Sequence, residues 1–123
     1  MKRSRAYIII GVLAVLLLAS CGQRYQAKGI VKDFVKAYAT EEIDITSFSD
    51  LDSTKVISDS LILALRDKAK SDPLFKKDFQ LTDKPDGATL LFIRMRFQLP
   101  GDTIEQSRTF YFDKDLTGII AFK

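Results

Sequence analysis

The side chains that most often perform enzyme chemistry are scarce in this sequence. Its 123 residues contain no histidine and a single cysteine, Cys21. Catalytic Ser–His and Cys–His pairs are therefore excluded, as are zinc sites made of Cys and His ligands. Any acid–base catalyst would have to use carboxylates or tyrosines, and the sequence identifies no such pair. We therefore expect a protein that is not an enzyme and that holds no cofactor.

One segment near the C-terminus offers oxygen ligands at the spacing of a calcium-binding loop. Asp113, Asp115 and Thr117 would take positions 1, 3 and 5, and Gly118 would take the glycine position 6. The bidentate Glu of position 12 would fall beyond Lys123, and both flanks have the pattern of strands. A hairpin turn with Gly118 at positive φ explains the same residues, so we expect no metal site.

Two arginines, Arg94 and Arg96, lie on one face of a segment with a period of two residues, together with Gln98. This pattern predicts a solvent-exposed face on which the arginines pair with Glu105 across a hairpin. Such exposed pairs contribute at most a few tenths of a kcal/mol. An anion-binding face is the alternative interpretation.

A second strand pattern places Gln106 and Arg108 on the same face as Phe110 and Phe112. If the apolar end of this face is buried, the two polar side chains also point inward, where an arginine needs a partner. A bulge or register shift would turn both to water instead. The Pro100-Gly101 turn favours type II geometry, which does not suit a two-residue hairpin, so the sequence leaves the register open.

The helices that must position these side chains follow from hydrophobic periodicity. Apolar residues at i, i+3, i+4 and i+7 predict a helix over residues 27–40. The polar segment 22–27 before it reads as a short tether, and residues 41–54 read as a loop. A second helix is predicted to begin at the N-cap Ser58 and to end at Asp72-Pro73. Its apolar stripe consists of Leu61, Ile62, Leu65 and Ala69.

The rest of the chain has the period of two residues that is typical of strands. Strands are predicted over residues 89–99, 103–112 and 119–122, with turns at 84–87, 100–101 and 113–118, and residues 79–81 are a candidate fourth strand. The predicted fold class is α+β, with two N-terminal helices packed across one face of a curled antiparallel sheet of three to four strands.

The formal charge of +3 comes from the N-terminus alone. Lys2, Arg3 and Arg5 precede Cys21, and the residues after it carry sixteen basic and sixteen acidic side chains. A nucleic-acid-binding protein normally has a basic excess, so we exclude that class. The zero balance also argues against an electrostatic contribution to membrane binding.

The N-terminus has the organisation of an export signal. The three basic residues precede an apolar run of eleven residues, Ile8 to Leu18, which is too short for a membrane span. Leu18-Ala19-Ser20-Cys21 resembles the lipobox of a bacterial lipoprotein. The resemblance implies a signal peptide over residues 1–20, cleavage before Cys21, and a segment over 21–27 that consists of the lipid-modified Cys21 and a tether. Residues 28–123 would then form one domain.

The order and spacing of three segments resemble small bacterial lipoproteins with NTF2-like or cystatin-like domains. The segments are Val31 to Tyr38, Val56 to Leu61 and Asp72 to Phe75. In NTF2-like folds the sheet and the first helix enclose a cavity, so the resemblance implies a ligand pocket with Tyr38, Gln106 and Arg108 at its mouth. The Gln98 to Gly101 segment lacks the valine of the cystatin wedge and is one residue short, so we expect no protease inhibition.

These observations predict where the protein works more clearly than what it binds. We expect a bacterial cell-envelope protein anchored through acyl chains on Cys21 and acting through contacts with another envelope protein. Gly22 after the cysteine favours the outer membrane, facing the periplasm, in a Gram-negative source. A small-ligand-binding protein that uses the cavity between the first helix and the sheet is the alternative.

Overall fold

The computed structural model describes residues 22–83 and 89–123, so Cys21, the signal region and the predicted turn at 84–87 lie outside the described residues. The class is α+β, as predicted, but the sheet has five strands instead of three or four. Helix α1 covers residues 22–38. The other elements are β1 (Asp44–Phe48), β2 (Asp52–Ser53), α2 (Asp59–Lys70), β3 (Leu91–Gln98), β4 (Gln106–Phe112) and β5 (Ile119–Phe122).

The sheet is antiparallel and is organised around β3. Its order is β1-β3-β4-β5, and β2 also pairs with β3. The side chains of Ile93, Met95 and Phe97 are fully buried, which confirms the predicted inner face of this strand. This inner face is the one that carries α1.

The turn between β3 and β4 fixes the register that the sequence leaves open. The amide of Asp102 donates to the carbonyl of Leu99 at 3.0 Å, and Gly101 has a φ of 76°, which are features of a type II turn. The residues between the strands complete a longer loop. The pairing is then regular along both strands and sets Met95 opposite Arg108.

The prediction of a loop over residues 41–54 is wrong, because this segment contains β1 and β2. Both are short and mostly exposed, so neither shows the alternation by which a strand is recognised. They form because β3 offers a free edge for backbone hydrogen bonds. The amide of Ser49 donates to the carbonyl of Arg94 at 2.9 Å, and that of Thr54 donates to Leu90 at 2.7 Å.

The predicted tether over residues 22–27 is also corrected, since these residues already belong to α1. Ala27 is fully buried. The Arg24 guanidinium donates to the carbonyls of Phe48 and Ser49 at 3.1 and 3.2 Å, which ties this part of α1 to the end of β1. Within residues 22–83 and 89–123, no helix is long and apolar enough to cross a membrane.

Helix α1 packs on the inner face of the sheet through an aromatic core. The ring of Phe34 lies at its centre, with five aromatic neighbours at centroid distances of 5.0 to 5.9 Å. These neighbours are Tyr38, Phe75, Phe79, Phe110 and Phe122. Burial of this much aromatic surface accounts for a stable core without disulfides.

Helix α2 has the predicted N-cap, because the Ser58 hydroxyl accepts from the amide of Leu61. Leu61 itself is 48% exposed, so its assignment to the apolar stripe is wrong.

The two helices also do not share one sheet face. Ile62 packs in a second cluster with Tyr111, on the outer face, whereas Ala69 belongs to the inner core. Helix α2 therefore crosses the edge of the sheet at β5.

Arg66 closes this edge of the sheet. Its Nε donates to the carbonyl of Ile120 at 2.9 Å, and its Nη2 donates to the carbonyl of Thr82 at 2.6 Å. The amide of Thr82 in turn donates to the carbonyl of Ile119 at 2.7 Å. One side chain of α2 thus links β5 to the segment that follows Phe79.

Candidate functional site

Arg108 points to the inner side of the sheet and is paired there with Asp72. Its Nε lies 2.7 Å from Asp72 Oδ2 and its Nη2 lies 3.3 Å from Oδ1. The side chains are only 21% and 12% exposed. The guanidinium also lies 5.5 Å from the ring centroid of Phe97. The regular register therefore favours the inward interpretation of Arg108 over a bulge that would turn it to water.

The Asp72–Arg108 pair forms one wall of an open cavity of about 360 Å³. Ala69 and Phe122 supply apolar surface, while Lys68 and Lys123 add two cationic side chains. Because Asp72 already neutralises Arg108, the lysines leave the cavity with an excess of positive charge. A small anion with an apolar part would match this lining.

The structure does not bring the three predicted pocket residues together. Gln106 is half-buried opposite Phe97, at the end of β4. Tyr38 is half-buried in the aromatic core, 6.4 Å from Phe79 between ring centroids. Neither residue lines the cavity beside Arg108. In the described part of the chain, aromatic side chains fill the space where the resemblance implies a cavity.

The partner of Arg108 was not identified from the sequence. Asp72 precedes Pro73, and this dipeptide is a sufficient reason to end a helix. The sequence indicates only that a buried arginine requires a carboxylate. Asp72 reaches Arg108 only because α2 crosses the edge of the sheet. No local sequence pattern encodes that crossing.

Arg94 and Arg96 are exposed on the outer face, as predicted. Arg96 Nε lies 3.8 Å from Glu105 Oε1, with both side chains about half exposed, so the predicted cross-hairpin pair is present but weak. The two arginines line an open depression of about 460 Å³ that also contains Asp50 and Asp52. The nearby carboxylates disfavour a dedicated anion site there.

The carboxylate of Asp113 is occupied by its own turn. It accepts hydrogen bonds from the amides of Thr117 and Gly118 at 2.8 and 3.3 Å and from the Thr117 hydroxyl. Amide donors at a carboxylate identify a turn cap, not a cation site. Within the described residues, no group of three or more acidic, cysteine or histidine side chains could hold a metal ion.

The residue with positive φ in this turn is Leu116, at 53°, and not Gly118 as predicted. Leu116 is 5% exposed and belongs to the core, so burial of its side chain opposes the cost of this conformation. Gly118 is needed for another reason, because a Cβ at this position would overlap the hydroxyl of Thr82. Close packing, not backbone conformation, favours glycine here.

Searches of protein-family models, curated proteins and solved structures found no match to this chain.

Proposed function

We propose that the protein is a non-enzymatic, lipid-anchored cell-envelope protein that acts by contacting another envelope protein. The proposal of an anchor is carried by Leu18-Ala19-Ser20-Cys21 and by the basic and apolar segments before it. Acyl chains provide stable anchoring when two or more are attached. In a Gram-negative host we propose the outer membrane, with the domain facing the periplasm.

A set of exposed apolar side chains near the start of α2 supports the proposal of a protein contact. Val56, Leu61 and Leu63 are 62%, 48% and 60% exposed. Single exposed apolar residues are common, and Leu61 and Leu63, two positions apart on α2, point to opposite sides of the helix. Each is therefore a separate candidate contact point, and Leu63 is the more exposed of the two.

The anchor is tested by intact-mass analysis of the protein purified from its native host, compared with a Cys21→Ala variant. We expect a mass that begins at Cys21 and includes acyl groups, whereas the variant should carry no acyl group. A species that begins at Met1, or one with an unmodified thiol, would contradict the proposal. Separation of inner and outer membranes then tests the location.

The contact surface is tested by placing a photo-crosslinking residue at position 63 in the native host. We expect a discrete adduct from position 63 that is absent from a control position outside α2. Ile104 is 69% exposed in the loop between β3 and β4 and provides the matched control position. Equal crosslinking from positions 63 and 104 would indicate nonspecific contact and would contradict the proposed surface.

We also propose that the fold is related to the NTF2-like and cystatin-like domains. A long helix packed on one face of an antiparallel sheet supports this relation. The filled aromatic core does not support this relation, because NTF2-like folds enclose a cavity between the first helix and the sheet.

Binding of a small ligand is the second candidate function, and we now place it beside the Asp72–Arg108 pair instead of between α1 and the sheet. The open cavity of about 360 Å³ favours it. A screen of small organic anions by thermal shift provides the test. Stabilisation that disappears in a Lys68→Gln variant would support the site, whereas an unchanged response in that variant would reject it.

A further inference from the structure

The zero charge balance after Cys21 conceals an uneven distribution. Helix α1 carries four basic side chains and one acidic one, whereas residues 39–123 carry twelve basic and fifteen acidic ones. The basic residues of the helix are Arg24, Lys28, Lys32 and Lys36. A basic helix is thus attached to an acidic remainder, so the zero overall balance does not exclude electrostatic contact between this helix and a membrane.

The four basic side chains lie on one side of α1. Residues four apart on a helix are offset by about 40°, so these four span an arc of about 120°. Tyr25 falls within the same arc, and it is 80% exposed. We call this surface, made of Arg24, Tyr25, Lys28, Lys32 and Lys36, the basic face.

The basic face borders a groove of about 350 Å³ between α1 and β1. Lys28 and Lys32 hold their ammonium groups 5.6 and 6.0 Å from the ring centroid of Phe48, at this groove. Thr46 and Ser47 add hydroxyl groups to the lining. Among the described residues that line the groove, none carries a carboxylate. Donors of this kind suit a phosphate group.

Carboxylates border this surface at two points, Asp50 and Asp33, which lies three positions before Lys36 on α1. Asp50 Oδ1 is 3.9 Å from Arg24 Nε, and Arg24 also donates to two backbone carbonyls. Arg24 is therefore largely committed within the protein. The three lysines are left as the charges that can act on an external partner.

We propose that the basic face of α1 lies flat on a bilayer surface and contacts anionic phospholipid headgroups. This inference rests on the lipid anchor proposed above, because α1 is helical from the residue after Cys21. An upright helix would hold Lys36 about 20 Å from the anchor, well beyond the Debye length of about 8 Å. Only a helix parallel to the surface brings all three lysines close to the headgroups. It also places Tyr25 at the membrane–water interface, where tyrosine is enriched.

The experiment uses the absence of tryptophan from the sequence. A Tyr25→Trp variant of the full, lipidated chain carries one indole, at the N-terminal end of the basic face. The protein is reconstituted in vesicles of phosphatidylcholine alone or mixed with phosphatidylglycerol, each with and without brominated acyl chains. We expect blue-shifted emission and quenching by the brominated lipids in the anionic vesicles. Both effects should decrease in the neutral vesicles and at about 1 M salt, where the Debye length is about 3 Å.

Two matched triple variants test the lysines. In the Tyr25→Trp background, Lys28→Gln, Lys32→Gln and Lys36→Gln together should abolish the difference between anionic and neutral vesicles. The control changes Lys55, Lys76 and Lys114 to Gln, which removes the same charge from exposed positions outside the basic face. The control should keep the difference. Lys36→Gln alone separates the orientations, because it weakens quenching for a flat helix and has no effect for an upright one.

Three results would overturn the inference while the lipid anchor stands, as verified by intact mass. Equal quenching in neutral and anionic vesicles would mean that the anchor alone brings position 25 to the bilayer. Emission typical of water in every vesicle would mean that the basic face points away from the membrane and is free for a protein partner. No effect of Lys36→Gln would mean an upright helix. A protein that lacks acyl groups would instead refute the proposed function.

Discussion

The guanidinium of Arg108 and the carboxylate of Asp72 are joined by two hydrogen bonds, of 2.7 and 3.3 Å, that tie β4 to the segment after α2. The pair spans 36 positions in the sequence. It lets a charged residue occupy the inner side of the sheet next to Phe97, where an unpaired guanidinium would be costly.

We expect Asp72→Asn to lower the free energy of unfolding by about 1–3 kcal/mol, less than the loss from breaking a fully buried pair, because both side chains keep some exposure. The asparagine can still accept the hydrogen bond that the Leu74 amide donates to Asp72 Oδ1. Urea denaturation measures the effect.

A double-mutant cycle with Arg108→Ala checks that the two residues act on each other. We expect a coupling of about 1 kcal/mol or more. Arg96→Ala is the matched control, since its pair with Glu105 is exposed. Additive effects of the Asp72 and Arg108 changes, or a loss under about 0.5 kcal/mol for Arg108→Ala, would contradict the inward position.

Gly118→Ala should destabilise the protein by about 1–3 kcal/mol, because the added Cβ overlaps the Thr82 hydroxyl. Thr82→Ala removes this hydroxyl and keeps the Thr82 backbone hydrogen bonds. The double variant should therefore recover most of the loss in a denaturant titration. The same loss with and without Thr82→Ala would show that steric overlap is not the cause.

Arg66→Lys should loosen the β5 edge even though the charge is kept. A guanidinium can donate to the carbonyls of Ile120 and Thr82 at once, whereas a lysine ammonium presents its donors in a different geometry. We expect faster hydrogen exchange of the β5 amides relative to those at the centre of β3. Unchanged exchange in β5 would mean that Arg66 is not needed to hold the edge.

Phe34→Ala should lower the free energy of unfolding by about 3–5 kcal/mol, as expected for a buried aromatic residue. Its ring contacts five others, so the substitution opens a hole in the middle of the core. We further expect the variant, but not the wild type, to be stabilised by benzene in thermal unfolding. Equal stabilisation of both proteins would indicate an existing cavity that the native side chains do not fill.

The elements that the sequence predicts well are those with strong local signals. The inner face of β3 alternates cleanly, and Ser58 caps α2 as expected because its hydroxyl can reach the Leu61 amide. Each of these features depends on residues close to one another in the chain.

The elements that the sequence misses depend on distant partners. β1 forms because β3 has a free edge, and its own residues are mostly exposed. The start of α1 lacks apolar periodicity, yet Ala27 is buried against the core. The pair of Asp72 with Arg108 needs α2 to cross the sheet edge, which only the tertiary arrangement determines.

The bond between the Arg24 guanidinium and the end of β1 has a consequence for neighbouring copies of the protein. β1 is the outermost strand on its side of the sheet, and bare outer strands invite edge-to-edge joining into fibrils. Confinement to a membrane, as we propose, would make encounters between copies frequent. By occupying two carbonyls and placing a charge at this margin, Arg24 disfavours such self-assembly.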